Sequence, residues 1–440
     1  MSERKKLGPI LATVIVANAM IGSGIFMLPA GLGAVGSISI VAWVAAACGA
    51  LLLGGVLALL AIVSPGTRGL FSYAREAFGP CAGFVSGALY WIIILTACVA
   101  IATAVTGYLS VFVPAVAAQP GSTICTVAVI WALVAVNLAG PRVVASLQSP
   151  ALVLGLAPVL LAAVAGWFFF SGATFAESWN VTGGSFMTVV PRATVMVFWA
   201  FLGLEGAIVL STRVRNPARD VPIATLGGIA VATLIYMAAC GALMGILPAA
   251  TLAKSSAPFA DGAAAMFGAA TAGLVAFCAV IKASATLGGN ILIAGETGEC
   301  ESVLGHMRPH LRDRQTHKVS IPTLLLTGTV LSAIAMLSAS PTLGRQFTLI
   351  TNVVVVLAML EYAAFAGALF VLGRSLPPAR RFWTRALSVA ALMFCAWIVS
   401  SSDPSLLVWS VAPVAIAVLA YVFFRMRNGA PVAVRLEGRP

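Results

Sequence analysis

Three ionisable side chains lie where charge is costly. Glu205, Lys282 and Glu361 fall inside long apolar segments of the 440-residue chain. A charged group at the centre of a bilayer costs about 2.5–3.5 kcal/mol even on the lenient insertion scale, so each needs a reason. Glu205 lies in WAFLGLEG, between Gly203 and Gly206. Its chemistry would be that of a proton- or cation-responsive switch. The plainer reading is a structural carboxylate satisfied by nearby tyrosines or by the amides of a broken helix. Glu361 precedes Tyr362 in a later apolar segment. Glu361 and Lys282 could pair, or Lys282 could stand as a fixed internal cation in place of a bound Na⁺. Glu296 falls near the end of its segment and reads equally as interfacial.

Other reactive residue types are weaker signals. His306 and His310 have the i, i+4 spacing of a metal pair, and His317 follows. All three share a stretch with Arg308, Arg312, Arg314 and Lys318, which reads as a solvated basic loop near lipid headgroups. Eight cysteines are scattered singly without a CxxC pair and read as packing residues. No cofactor, metal or nucleic-acid partner is expected. Asn180-Val181-Thr182 is a sequon of little weight in a bacterial-looking chain. Trp167, Trp179, Trp383 and Trp409 fall near segment ends, as an aromatic belt requires. Trp199 stands apart, one turn before the glycine-flanked glutamate. It is either a packing residue or a lid over a bound molecule.

The elements that must position these groups are membrane helices. The chain is 61% hydrophobic and 9% charged, with a mean hydropathy of +1.05. Soluble domains carry about 25% charged residues. The composition therefore describes a polytopic membrane protein. Its charged start runs into an apolar stretch too long for a signal peptide, so the first helix is expected to be retained. A span needs about 20 mostly apolar residues. Twelve such runs occur, at about 8–32, 37–63, 82–113, 122–140, 147–171, 186–212, 221–247, 270–295, 321–339, 346–373, 383–401 and 405–424. Of the 25 Lys and Arg residues, only Lys254 and Arg345 fall on outer loops when both termini are placed in the cytoplasm, and Arg192 and Lys282 fall within or near spans. The positive-inside bias thus sets the orientation and accounts for the net charge of +12.

Two spans carry glycines around a polar residue. Asn18–Pro29, NAMIGSGIFMLP, holds Gly22-Ser23-Gly24 in the first; Gly203–Gly206 lies in the sixth. Glycine costs a helix interior about 1 kcal/mol relative to alanine, and an unsatisfied backbone group in hydrocarbon costs several more. A helix broken there must line a cavity or meet a ligand. Each break opens a block of five helices, which suggests a five-plus-five inverted repeat with two further helices. Paired interrupted segments point to a transporter binding site. Two unrelated glycine packing kinks are the competing reading.

The expected organisation is a single transmembrane domain over 1–430. Repeat one covers about 8–171, repeat two about 186–373 and helices 11–12 about 383–424, with a short cytoplasmic tail at 431–440.

IGSGIFMLP, SPGTRGLFSYAREAFGP, ESWN, WAFLGLEGA and RNPARDVPIATLGG occur in that order. On these motifs the chain resembles the amino acid–polyamine–organocation superfamily over about residues 7–425. It is similar to that superfamily's bacterial arginine/agmatine and putrescine/ornithine antiporters. The resemblance implies an all-α fold of twelve helices with broken helices 1 and 6, commonly a homodimer, and exchange without ATP or a covalent intermediate. It matches Met20, Ser23 and Gly24 to the carboxylate-binding segment and the carbonyls of Trp199 and Leu202 to the α-amino site. Trp199 also matches the aromatic gate, Glu205 the acidic gate, and Tyr90 and Tyr362 its tyrosine partners.

Departures from the family pattern concern the substrate side chain. Asn290 stands where a second gating tryptophan is expected, Cys98 replaces an amide, and Val354 replaces a small polar residue. An asparagine offers no stacking face for a guanidinium or amine. The implied pocket of Ile93, Ile94, Cys98, Asn290 and Val354 is more apolar than that of an arginine exchanger. Glu361 replaces a proline and could restore a negative charge. The expected function is alternating-access exchange, across the bacterial inner membrane, of a cationic amino acid for a related amino acid or its decarboxylation product. The alternative is a proton-coupled permease for a smaller or more apolar amino acid. An ion channel or a membrane enzyme fits less well, since no pore ring or catalytic constellation is evident.

Overall fold

The computed structural model describes residues 8–64, 71–206, 214, 216–300 and 319–428. The histidine-bearing stretch, the second half of the sixth span and the 431–440 tail lie outside the described residues. The described residues form helices joined by turns and short connections, and no strand occurs among them. Eight helices are long and apolar enough to cross a membrane. The bent pair Pro9–Met20 and Gly24–Gly33 makes a ninth candidate, with an angle of 52° between its halves. Three shorter apolar helices, Val153–Phe169, Phe186–Phe201 and Ile321–Leu337, lie where the sequence places the fifth, sixth and ninth spans.

The elements are α1 (Pro9–Met20), α2 (Leu28–Gly33), α3 (Ser39–Val63), α4 (Phe71–Phe78), α5 (Pro80–Leu109), α6 (Gly121–Leu138), α7 (Pro141–Val164), α8 (Gly172–Glu177) and α9 (Phe186–Phe198). They continue with α10 (Pro217–Ile246), α11 (Ala249–Lys254), α12 (Pro258–Phe267), α13 (Ala269–Cys300), α14 (Ile321–Leu337), α15 (Leu343–Leu372), α16 (Pro378–Ser401) and α17 (Pro404–Asn428). Proline opens α1, α5, α7, α10 and α12, where its missing N–H is no loss. In the long helices, threonine hydroxyls donate to the carbonyl four residues back, as Thr103 does to Val99 and Thr194 to Val190. That bond satisfies a hydroxyl inside an apolar interior.

The core lies where α1 packs on α10, α13 on α5 and α7, and α15 on α5. The outer faces are apolar, with Ile10, Phe168, Met187, Leu337 and Met426 all exposed. The four belt tryptophans, Trp167, Trp179, Trp383 and Trp409, are exposed as well. Among the described cysteines, Cys98, Cys240, Cys278 and Cys395 are buried free thiols, and Cys48 and Cys81 are exposed ones.

Four short helices were not legible as spans. Among them, α4 packs on α5 so closely that a Cβ at Gly83 would lie 2.5 Å from that of Arg75. The ESWN motif proves to be a strap. The carbonyls of Ser178 and Trp179 accept the amides of Ser37 and Ile38 at 2.9 and 2.8 Å, tying the turn after α2. Gly36 sits in that turn with φ +104°, and a Cβ there would lie 2.4 Å from the Ser178 carbonyl oxygen. Gly36→Ala is therefore expected to lower stability by at least the roughly 1–3 kcal/mol of such backbone strain, read as a lower melting temperature of the purified protein. The sequon is internally used: Thr182 donates to Asn180 Oδ1, and Asn180 Nδ2 donates to the Gly184 carbonyl, both at 2.8 Å.

Candidate functional site

Both glycine-bearing segments are broken, and the breaks meet. In the first span the helix stops at Met20. The Ile21 amide still reaches the Ala17 carbonyl at 2.8 Å, the Gly22 amide turns back to Met20, and a 3-10 turn covers Ser23–Ile25. In the sixth, α9 passes into the 3-10 turn Trp199–Phe201, and Leu202 is extended. Gly203 then takes φ +104°. A Cβ on Gly203 would lie 3.2 Å from the Ala19 carbonyl oxygen, so one break's glycine rests on the other's backbone.

Trp199 covers the first break. A Cβ on Gly24 would lie 2.4 Å from the Trp199 indole nitrogen, and the indole stands edge-on to Phe347, ring centres 6.0 Å apart. Trp199 is buried, and its Nε1 has no hydrogen-bond partner among the described residues. A buried donor left unmade costs about 1–3 kcal/mol, which makes it a natural point for a ligand acceptor. The side chain of Ser23 lies outside the described residues.

Two tyrosines that sequence reasoning passed over satisfy the freed carbonyls. The Tyr236 hydroxyl lies 2.6 Å from the Met20 carbonyl and 3.2 Å from that of Ala200, so it ties the two breaks together. Tyr108 donates to the Phe26 carbonyl at 2.8 Å and accepts the Phe259 amide at 3.2 Å. A phenol buried in an apolar span needs such partners, and that need was the available signal. Tyr236→Phe removes a hydroxyl shared by carbonyls of both breaks and leaves the Met20 carbonyl with the Gly22 amide alone. The expected cost is about 1–3 kcal/mol of stability, seen as a lower melting temperature together with weakened substrate binding.

The acidic residues form a separate small pocket of about 30 Å³, lined among others by Tyr90, Ile93, Leu202, Glu205, Glu361 and Tyr362. Glu205 Oε2 accepts from the Tyr362 hydroxyl at 2.9 Å and from the Gly203 amide at 3.2 Å. Glu361 accepts from the Ser86 hydroxyl through Oε1, while its buried Oε2 has no partner among the described residues. The expected grouping of Tyr90, Glu205, Glu361 and Tyr362 is thus brought together. Glu361 and Lys282 do not meet, because Lys282 faces a different cavity. Its Nζ lies 3.4 Å from Asn18 Oδ1.

The implied side-chain pocket is divided. Ile93 lines the acidic pocket and Asn290 the Lys282 cavity. Cys98 and Val354 are fully buried, and Ile94 is buried too.

Broken, apolar, paired spans around a covered backbone are transporter architecture, and the similarities of the chain agree. Residues 7–427 match the family model described as amino acid permease. The chain belongs to the amino acid permease family. The permease is 33% identical over 367 residues to the cadaverine/lysine antiporter of Escherichia coli (strain K12), covering 82% of each chain. It is 31% identical over 408 residues to the putrescine transporter PotE of the same strain, covering 91% of this chain and 92% of the relative. With the putrescine transporter PotE of Haemophilus influenzae it shares 28% over 371 residues, covering 84% and 85%. These relatives are transporters, not enzymes. The permease is accordingly a multi-pass membrane transporter of the amino acid and polyamine class.

Proposed function

We propose that this permease is an antiporter of the bacterial inner membrane. It exchanges a cationic amino acid for a related amino acid or its decarboxylation product by alternating access. In this reading the nine candidate spans and three shorter apolar helices make twelve, arranged as a five-plus-five inverted repeat with both termini cytoplasmic, and the functional unit is a homodimer. The observation that carries the reading is the contact of the two breaks at Ala19 and Gly203 beneath Trp199. There, backbone groups of two interrupted spans face one another beside a cavity, as a midplane substrate site requires. The first break supplies amides for a carboxylate through Met20, Ser23 and Gly24. The second supplies the carbonyls of Trp199 and Leu202 for an amine. The relatives named for cadaverine, lysine and putrescine support a cationic substrate.

Counterflow in proteoliposomes tests this. Labelled lysine, ornithine or arginine is expected to enter vesicles loaded with unlabelled substrate and not empty ones. Uptake into empty vesicles that requires a proton gradient would replace exchange with the second reading, a proton-coupled permease for a smaller or more apolar amino acid. One observation favours that reading: the side chain of Lys282, a fixed cation, lines the larger cavity beside the first break.

A further inference from the structure

Four arginines gather at one end of α16, away from both breaks. Arg374 sits in the 3-10 turn Gly373–Ser375 that follows α15, and Arg380, Arg381 and Arg385 lie at the start of α16. A Cβ at Gly373 would lie 2.9 Å from the Thr384 side chain, so glycine lets the turn that bears Arg374 close onto α16. No aspartate or glutamate occurs between Glu361 and Asp403, and Asp403 follows the far end of α16. The cluster therefore has no acidic partner in its own segment.

Arg381 and Arg385 differ from the other two. Arg374 and Arg380 are exposed, whereas these are half-buried. The Arg385 guanidinium lies over the Phe370 ring of α15, 5.2 Å from its centre, a cation–π contact that restrains the side chain. The Nε of each has no hydrogen-bond partner among the described residues. A guanidinium is always charged, and its fork of donors matches a phosphate bidentately. The protein thus holds two such forks one helical turn apart without supplying an acceptor for either Nε.

The surface beyond them indicates what carries the phosphate. Arg381, Arg385, Val389, Met393 and Trp397 are spaced by four residues and so form one ridge of α16. Val389, Met393 and Trp397 are exposed. Phe382 and Trp383, beside the arginines, are exposed too, with ring centres 5.5 Å apart. Aromatic and basic residues together at a span end mark the headgroup level of a bilayer. The ridge begins with two cations and runs on as bare hydrocarbon. A phospholipid has the same order, an anionic headgroup and then acyl chains. A free phosphate would leave the apolar part unused.

We propose that this ridge binds an anionic phospholipid. Arg381 and Arg385 hold the headgroup phosphate, Arg374 and Arg380 add attraction, and an acyl chain lies along Val389, Met393 and Trp397. The inference needs the chain to span a membrane and does not depend on which substrate it exchanges. Elsewhere on α16, Phe394 packs on Phe198, the residue before Trp199, with ring centres 5.6 Å apart. A lipid on the ridge thereby braces the helix that carries the second break.

The test is phospholipid binding to the purified, delipidated full-length permease, read by native mass spectrometry and by melting temperature. The probes are phosphatidylglycerol, zwitterionic phosphatidylcholine and inorganic phosphate alone. Phosphatidylglycerol is expected to bind and to raise the melting temperature, with phosphatidylcholine about tenfold weaker. Arg381→Gln and Arg385→Gln should each weaken phosphatidylglycerol about fivefold, the scale of one basic group at an anionic surface, and the double variant about 25-fold. Arg345→Gln, which removes the same charge near the start of α15, should leave binding unchanged. The single variants decide the matter if the double variant does not fold. Equal binding of the two lipids, or a loss in the ridge variants no larger than in Arg345→Gln, overturns the proposal. An arginine-dependent rise in melting temperature with inorganic phosphate alone would give the site to a free anion and overturn it as well. A changed monomer–dimer ratio in the ridge variants, with lipid binding intact, would give the ridge to a second copy of the chain and likewise overturn it.

Discussion

Gly24→Ala is expected to abolish substrate exchange while leaving a folded protein. The added methyl would lie 2.4 Å from the Trp199 indole nitrogen and 3.1 Å from its Cδ1. The indole has little room to retreat, because it is buried and stands edge-on against Phe347. Overpacking of this kind costs about 1–3 kcal/mol. Spent on the site rather than the fold, that is a loss of about 5- to 150-fold in affinity. The converse change, Trp199→Leu, removes the aromatic cover and is expected to weaken substrate retention about tenfold, the scale of a lost aromatic anchor. The two should not add. In the double variant the leucine frees the space the alanine needs, giving a coupling of about 0.5–3 kcal/mol. Binding by titration and exchange by counterflow on all four proteins measure this cycle. Strict additivity would separate Trp199 from the break and make it a packing residue.

Glu205→Gln is expected to flatten the pH profile of exchange and to slow it, with little change in melting temperature. The amide keeps the shape of the carboxylate and can still accept from Tyr362 and from the Gly203 amide, which now hold Oε2 at 2.9 and 3.2 Å. What is lost is the charge. Hydrogen bonds to charged groups are worth about 1.5–3 kcal/mol, roughly double the neutral kind. Glu205 sits beside the break it would control and shares its pocket with Glu361, so its charge state bears on both the Gly203 turn and the neighbouring carboxyl. Exchange measured across a pH series in proteoliposomes gives the result. An unchanged profile would remove Glu205 from the switch and leave it a structural carboxylate.

The breaks were legible because glycine in hydrocarbon is expensive twice over, in backbone entropy and in unmade hydrogen bonds. Gly22-Ser23-Gly24 and Gly203–Gly206 therefore stood out from any run of apolar helix. The grouping of Glu205 with Tyr90 and Tyr362 followed from the family motifs and matches the observed pocket. The partners across helices were not legible. Tyr236 bridges to Met20 from 216 residues away, and Ser86 reaches Glu361 from 275 away. Such pairings depend on helix rotation, which apolar periodicity does not fix when a helix is hydrophobic on every side. The resemblance grouped Asn290 with Cys98 and Val354, and periodicity held nothing to check it against. Helix α13 instead turns Asn290 toward Lys282, and the other two residues pack inward. The short helices α4, α8, α11 and α12 escaped notice because their length and composition fall below those of a span. ESWN could be quoted as a motif, but its strap role needed the position of Gly36.

In the proposed mechanism the two breaks form one substrate site. A cryo-electron microscopy map of the permease in nanodiscs, with the amino acid that most raises its melting temperature, tests it directly. Ligand density is expected between Met20–Gly24 and Trp199–Leu202, beneath the Trp199 indole, with the backbone of both segments non-helical. Ligand density elsewhere, with both spans running as continuous helices through Gly24 and Gly203, would contradict it.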